Sequence, residues 1–267
     1  IISGPNVFIT QRSETFLIDN LGSQTNTIKI PLFNGWLKNM FIRVELSALT
    51  DVDTNNQKTG YHNWVDNLGH ALIEHIQLKI GNTTLFDSSF PYGLWLDIYN
   101  ELNDPDMLEW SLIGKHSSVD GLKKYETGPK ILYIPLHLWF SEDINNMLPY
   151  FLFTNDNDSL SISIKTRSLN ELVLKSSSQT NNDISIDMRL IYETIEPDDD
   201  EIISFFKTQY SKIPYQVYTS IPYNISKQLS SNVDLNFTEE FPIKKIIFVI
   251  QNNNRTTQDS SPLINEH

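Results

Sequence analysis

The residues in this sequence that come closest to a catalytic arrangement are His70, Glu74 and His75. Zinc metalloproteases combine two histidines with a glutamate, but they space them as H-E-x-x-H or H-x-x-E-H, and this segment has neither pattern. The segment alternates as a strand, which would direct residues 70 and 75 to opposite faces of a sheet. We interpret His70 as a structural residue in the turn before a strand, and we predict no metal site here.

A polar loop at residues 50–61 has the residue types of a calcium site. Asp51, Asp53 and Asn55 occupy alternate positions, as ligands do in an EF-hand loop. That loop also requires a glycine at its sixth position and a glutamate at its twelfth, where this sequence has Asn56 and His62. The segment is therefore interpreted as a solvated loop.

No nucleophile elbow, P-loop or dinucleotide fingerprint occurs in the sequence. We predict no catalytic residue and no cofactor. Carboxylates are plentiful, with 33 Asp and Glu residues, but nothing in one sequence selects a pair of them as a glycosidase acid and base.

The composition is that of a globular protein, with 39% hydrophobic and 11% aromatic residues. A formal net charge of −13 argues against direct nucleic-acid binding, which depends on Lys and Arg neutralising phosphates. The absence of cysteine fits a reducing compartment and excludes disulfides and thiolate metal sites. No apolar run is long enough to span a membrane, no signal-peptide pattern precedes the first strand, and a first residue of Ile1 leads us to expect an incomplete N-terminus.

Alternating apolar residues predict an antiparallel, all-β fold. The segments Thr25–Leu32, Trp36–Leu49 and Ile184–Tyr192 alternate cleanly, as strands with one wet face do. Residues 1–24 are expected to form an N-terminal arm or an edge strand. Further strands are predicted at Pro129–Phe140, Tyr150–Phe153, Leu160–Ile164 and Glu171–Leu174. The total is about eight strands by residue 195, the number that a jelly roll requires.

The stretch from Asn67 to Leu102 organises this fold. Leu72–Ile80 and Thr83–Phe86 are predicted strands joined by a Gly81-Asn82 turn. The period then changes to that of a helix ending near Leu102, with Ser88 or Ser89 as its cap and Pro91 in its first turn.

The run Glu196–Glu201 marks the clearest boundary in the chain. Consecutive carboxylates cannot all face one ion, so a helix N-terminus stabilised by its dipole is preferred over a divalent-cation site. We predict a first domain at 1–195, an inter-domain helix and linker at 196–222, and a second domain beginning at 223–267. Asn232–Asn252 contains only two further strands, which cannot form a sandwich, so we expect that the sequence ends within this second domain.

Two blocks carry a family resemblance. The first comprises Asn67–Glu74 (NLGHALIE), the Ile80-Gly81 turn and the Trp95–Leu102 helix. The second is Tyr133–Phe140 (YIPLHLWF), followed by Asn146, Leu148 and Pro149. Both resemble the major capsid proteins of large, nucleocytoplasmic double-stranded DNA viruses. A later run, Asn232–Gln251, is similar to the opening of that family's second roll.

The resemblance implies an eight-stranded jelly-roll sandwich with short helical insertions, followed by the first strands of a second, incomplete roll. It implies a structural, non-enzymatic virion protein: a homotrimer forming a pseudo-hexagonal capsomer of an icosahedral shell. Its partners would be neighbouring capsomers, minor capsid proteins and an internal membrane beneath the shell, with assembly in the host cytoplasm.

Long loops make the outer face and the subunit contacts in the resembled family. The residues expected at surface loops or subunit contacts are therefore Trp64 and, in the polar segment 103–128, Asp104, Trp110, Lys115 and Lys123.

Two alternatives remain open on sequence grounds. One is a β-sandwich carbohydrate-binding module that uses exposed Trp64 or Trp110 as a sugar platform. The other is a jelly-roll glycosidase, which lacks a recognisable acid/base pair.

Overall fold

The structure is a computed structural model, and it describes residues 7–16, 21–22, 25–49, 62–88, 92–102, 107–115, 129–141, 143–153, 155, 159–175, 184–210, 242–243 and 246–248. The strands in these ranges are β1 Val7–Phe16, β2 Thr25–Lys29, β3 Trp36–Leu46, β4 His62–Trp64, β5 Ile73–Ile80, β6 Thr83–Asp87, β7 Lys130–Pro135, β8 Leu148–Pro149, β9 Leu160–Thr166, β10 Val173–Lys175 and β11 Ile186–Pro197. The helices are α1 Leu68–Leu72, α2 Tyr92–Leu102, α3 Met107–Ile113, α4 Leu169–Leu172 and α5 Asp200–Gln209, with 3₁₀ turns at Ile144–Asn146 and Tyr150–Leu152.

Eight of these strands form two antiparallel four-stranded layers. The first sheet has the order β1-β11-β3-β7, with the short β8 also paired to β3, and the second has the order β2-β9-β5-β6. Counted along the chain, the eight main strands therefore lie in the order first, eighth, third, sixth in one sheet and second, seventh, fourth, fifth in the other. This double Greek-key order is that of a jelly roll. The predicted all-β jelly-roll sandwich is confirmed.

The core lies between the two sheets and follows from the alternation of the strands. In β3, Met40, Ile42 and Val44 are buried, and in β9 the residues Ile162 and Ile164 are fully buried. Their neighbours in sequence point outward, because successive side chains of a strand face opposite sides. Each such aliphatic side chain contributes roughly 1.5–3 kcal/mol by leaving water.

Residues 7–16 form an edge strand rather than an arm. β1 pairs antiparallel with β11 over its whole length, from Val7 opposite Pro197 to Phe16 opposite Met188. Of the two possibilities for the N-terminal segment, the edge strand is therefore the one observed. Phe16 at the end of this strand is buried in the core, with 4% exposure, and anchors it there.

Two predicted strands begin as short helices instead. The strand predicted from Leu72 starts at Ile73, since Leu68–Leu72 forms α1 with every residue buried. Where a strand was predicted at Glu171–Leu174, α4 ends at Leu172 and only Val173–Lys175 is extended. The cause of the second error is a capping box, in which the Glu171 side chain accepts from the backbone N–H of Ser168.

Three further predictions need correction. β7 ends at Pro135 instead of continuing to Phe140, because proline has no N–H to extend the ladder. Tyr150–Leu152 is a 3₁₀ turn and not a strand. Of the two caps predicted for α2, Ser88 is used elsewhere, because its hydroxyl accepts from the backbone N–H of Ile76 and donates to the carbonyl of the same residue. The other candidate, Ser89, and Pro91 lie outside the described residues.

The helix predicted after the acidic run is confirmed. Asp199 is its N-cap, with a side chain that accepts a hydrogen bond from the backbone N–H of Glu201 at 2.8 Å. Most of the region predicted to open a second roll lies outside the described residues. The described parts of it, 242–243 and 246–248, are not in a strand. The division at 195 and 222 stays a prediction.

Candidate assembly surfaces

A buried polar cluster fixes α1 against α2. The Nδ1 atom of His70 lies 2.8 Å from Oδ1 of Asp97, and the side-chain amide of Asn67 donates to the same carboxylate oxygen. Asn67 adopts a left-handed backbone conformation with φ of 54°, which turns the chain into α1. His70 is fully buried, so its ring cannot meet a substrate. Its predicted structural role fits this position, although it lies in a short helix and not in a turn.

The helices at this cluster approach so closely that side chains are excluded. A Cβ atom on Gly93 of α2 would lie 1.8 Å from the carbonyl oxygen of His70. A Cβ atom on Gly69 would lie 3.0 Å from the carbonyl oxygen of Ile113 in α3. Glycine at both positions therefore lets three helices meet at one point, and the block NLGHALIE is the centre of this contact.

His75 takes part in a separate contact on the outside of the second sheet. Its Nε2 atom lies 2.7 Å from Oδ1 of Asp87, whose other oxygen accepts from the side-chain amide of Gln77 at 2.6 Å. These hydrogen bonds from Gln77 and His75 hold the pKa of Asp87 below its usual value, against a desolvation effect that acts the other way. The two histidines of the zinc-like motif thus hold different carboxylates. Within the described residues, no group of three potential ligands is arranged to hold a metal ion.

Tyr150 ties the segment after β8 to the second sheet. Its hydroxyl donates to the carbonyl of Ile30 at 2.8 Å and accepts from the backbone N–H of Leu160 at 3.1 Å. Its ring stacks on Phe33 with centroids 4.6 Å apart. Burial raises the pKa of Tyr150 to about 12. Sequence reasoning missed this residue because it treated 150–153 as a strand, although a tyrosine directly after the Leu-Pro pair was visible in the sequence.

An aromatic cluster docks α5 on the outer side of the first sheet. The Phe206 ring lies 5.2 Å from that of Trp36 at 90°, and the Tyr210 ring lies 6.0 Å from that of Phe151. Phe205, the residue before Phe206 on the helix, is 60% exposed. The chain that leaves β11 therefore folds back onto the sheet to which β11 belongs.

The five residues predicted at surface loops or subunit contacts have different outcomes in the structure. Trp64 is not in a loop: it lies in β4 opposite Val173 of β10 and is only 4% exposed, so its placement there is corrected. Trp110 is half-buried in α3, and the Lys115 ammonium lies 4.7 Å from the centroid of its ring. Asp104 and Lys123 lie outside the described residues.

These positions also weaken the carbohydrate-binding alternative. A sugar platform needs an exposed aromatic face. Trp64 is buried, and Trp110 is half-buried beneath Lys115. The calcium-like segment 50–61 lies outside the described residues. Among the helices that are described, none has the length and apolar character needed to cross a membrane.

Comparison with known proteins identifies the family to which this fold belongs. A family model described as the major capsid protein N-terminus matches residues 5–197, which is more than half of the chain. The chain belongs to the major capsid protein family. The resemblance to major capsid proteins of large DNA viruses is thereby confirmed, and a member of this family is a component of the virion.

Individual relatives agree with this assignment. A probable capsid protein of Acanthamoeba polyphaga mimivirus is 27% identical over 138 residues, which cover 49% of this chain and 25% of that protein. The Faustovirus major capsid protein matches with a TM-score of 0.56 at 11% identity, over 78% of this chain and 57% of that chain. A structure of the PBCV-1 virus capsid matches with a TM-score of 0.54 at 14% identity, over 77% of this chain and 46% of that chain.

The structural likenesses show the fold alone, because the identities are low. The chain spans about half the length of these structural relatives and a quarter of the mimivirus protein.

Proposed function

We propose that this capsid protein builds a homotrimeric, pseudo-hexagonal capsomer that tiles an icosahedral shell. The observation that carries the proposal is the eight-stranded sandwich with first-eighth-third-sixth and second-seventh-fourth-fifth strand order, in a chain of the major capsid protein family. If each subunit contributes two such rolls, three subunits present six similar bodies around one axis. A trimer then has nearly hexagonal outlines, and hexagonal tiles fill the facets of a shell.

A capsid subunit must keep a fixed shape while it contacts several neighbours at once. The fold suits this role, because each sheet contributes a buried face to one continuous core. Hydrogen bonds outside the sheets stabilise the connections as well. The hydroxyl of Tyr150 bridges Ile30 and Leu160. The cluster of Asn67, His70 and Asp97 joins α1 to α2. Rigid rolls set the geometry, and the helices and loops between strands supply the contacts.

The proposed partners follow from this role. They are neighbouring capsomers, minor capsid proteins and an internal membrane beneath the shell, with assembly in the host cytoplasm. We also propose that Trp110 and Lys115 lie at surface loops or subunit contacts of the capsomer. The same proposal covers Asp104 and Lys123, which belong to the same polar segment. A net charge of −13 supports the absence of direct nucleic-acid binding. The protein acts without catalysis and without a cofactor.

The division of the chain is also part of the proposal. Residues 1–195 form the first roll, 196–222 an inter-domain helix and linker, and 223–267 the opening of a second roll. The position of α5, immediately after the last strand of the roll and docked on Trp36 through Phe206, supports the helix in this scheme.

The experiment that tests the proposal is the native mass of the 267-residue chain and of a version extended until the second roll is complete, measured by sedimentation over a wide range of concentrations. The extended chain is expected to be a stable trimer, whereas the 267-residue chain is expected to stay monomeric or to aggregate through its unpaired strands. An extended chain that stays monomeric at every concentration would overturn the trimer.

A further inference from the structure

The turn that leads into β3 contains the only Asn-Gly pair in the sequence, Asn34-Gly35. An asparagine before a glycine is prone to deamidation, because glycine has no Cβ to shield its backbone nitrogen. That nitrogen attacks the side-chain amide carbon of the asparagine and expels ammonia, which leaves a cyclic imide. Water then opens the imide at one of its two carbonyls and gives either an aspartate or an isoaspartate.

Both reacting groups are free of hydrogen bonds in the part of the chain that the structure describes. The Asn34 side chain is exposed, and neither its amide nor the Gly35 N–H has a hydrogen-bond partner among those residues. Asn39 in β3 provides a contrast, because its side-chain amide donates to Oε2 of Glu193 at 2.7 Å. An amide held by the neighbouring strand must break that bond before it can react, and Asn34 has no such bond to break.

The packing around Gly35 requires a glycine and still leaves its nitrogen accessible to the asparagine. A Cβ atom on Gly35 would lie 2.3 Å from the carbonyl oxygen of Ile195. The carbonyl of Gly35 accepts a hydrogen bond from the backbone N–H of Phe151 at 3.1 Å. These contacts hold the residue through its Cα and its carbonyl. The fold therefore fixes the glycine of the reactive pair in place without engaging the nitrogen that attacks.

An isoaspartate at position 34 would change the main chain as well as the charge. The peptide link then runs through the former side chain, so the backbone gains one carbon atom immediately before Gly35. Gly35 is packed between Ile195 and Phe151, and the next residue is Trp36, whose ring lies 5.2 Å from that of Phe206 in α5. A displacement of Gly35 would thus reach the residue on which α5 docks. An aspartate adds the same charge but leaves the backbone length as it was.

We propose that Asn34 is a site of spontaneous deamidation in the folded protein, and that its isoaspartyl product releases α5 from the first sheet. The reactants are the Asn34 amide and water, and the products are an acidic residue and ammonia. The inference does not depend on the proposed capsomer. It gives the roll a slow, covalent change at the contact that holds the helix after its last strand.

The rate of conversion in the folded chain tests the first part. The protein is kept in mildly alkaline buffer below its melting temperature, and conversion is followed by peptide mapping with mass spectrometry. Asn82 is the control within the same molecule, because it is exposed in the β5–β6 turn and is followed by Thr83. We expect Asn34 to convert at least about tenfold faster than Asn82, since the branched side chain of threonine shields its nitrogen. Equal rates, or an Asn34 that stays intact while the chain is folded, would overturn the inference.

Hydrogen exchange of residues 200–209 tests the second part. The two products have equal mass, so the isoaspartyl form is identified with a methyltransferase that labels isoaspartyl carboxylates from S-adenosylmethionine. We expect amides of α5 to exchange at least about tenfold faster in the isoaspartyl fraction than in the parent, as a helix freed from its packing contact does.

Two variants separate the backbone change from the added charge. Freshly prepared Asn34→Asp has the charge without the extra backbone atom and should exchange in α5 as the parent does. Asn34→Gln keeps the exposed amide on a longer side chain, which would have to close a larger ring, so it should neither convert at the parent's rate nor loosen the helix. Equally fast exchange in Asn34→Asp would assign the effect to charge and overturn the backbone mechanism. Unchanged exchange in the isoaspartyl fraction would overturn the release of α5.

Discussion

The hydroxyl of Tyr150 accepts a hydrogen bond from the backbone N–H of Leu160 at 3.1 Å and lies fully inside the protein. Tyr150→Phe leaves this N–H and the carbonyl of Ile30 buried without that partner. We expect the free energy of unfolding to fall by about 1–3 kcal/mol, the usual cost of leaving buried polar groups unsatisfied. Urea denaturation measures the difference. The control is Tyr133→Phe, which removes the hydroxyl of a half-buried tyrosine on the outward side of β7. It should lower the free energy of unfolding by less.

The same tyrosine predicts a loss of stability in alkali. Burial raises the pKa of Tyr150 to about 12 in the folded state, against an unfolded value of 10.0. The unfolded chain therefore releases this proton first, and stability that is fully present below pH 10 falls as the pH rises toward 12. Over that window the contribution of Tyr150 should decline by about 2–3 kcal/mol.

The comparison that isolates this effect is the pH dependence of the parent against that of Tyr150→Phe. Tyr192, whose pKa burial likewise raises to about 12, titrates in both proteins and cancels in the difference. The stability gap between parent and variant should narrow from pH 9 to pH 12. A gap that stays constant across this range would contradict the prediction.

The close contact between α1 and α2 gives a third prediction. Gly93→Ala introduces a methyl group that would lie 1.8 Å from the carbonyl oxygen of His70, which is backbone and cannot rotate away. Because overpacking of this kind forces backbone shifts, we expect a loss of at least about 1–3 kcal/mol in the free energy of unfolding. Leu102→Ala, at an exposed position of the same helix, should change stability little. Thermal and urea unfolding of the two variants would check the prediction, and equal losses would refute it.

The strands of the roll were predictable because one face of each strand is buried, so that alternation in sequence reports the position of the core. α1 was not predictable in the same way. Leu68 and Leu72 are buried and so are Gly69, His70 and Ala71, which leaves no polar face to reveal a helical period. α4 did have a local signal, the capping box of Ser168 and Glu171, which marks a helix start within a short segment.

The burial of Trp64 depends on a contact that no local pattern shows. β4 pairs with β10, with Trp64 opposite Val173, and the two strands are far apart in sequence. In the mostly polar run of residues 61–67 (YHNWVDN), a tryptophan is typical of a loop. His70 alone was interpreted as structural from the spacing of the motif. Its partner Asp97 lies on a separate helix and could be found only in the fold.

The docking of α5 provides the last prediction, with two adjacent phenylalanines as a matched pair. Phe206 packs on Trp36 with ring centroids 5.2 Å apart, and Phe205 is 60% exposed. Truncating Phe206 to alanine removes the ring that holds the helix on the sheet, and short isolated helices are only marginally stable in water. We expect Phe206→Ala to accelerate amide hydrogen exchange throughout residues 200–209 while the exchange of β3 is unchanged. Phe205→Ala removes a ring of the same size without that contact and should leave exchange in α5 as it is in the parent. Equal exchange in the two variants would mean that the Trp36 contact does not hold the helix, and that Ile203, the buried residue of α5, is sufficient to anchor it.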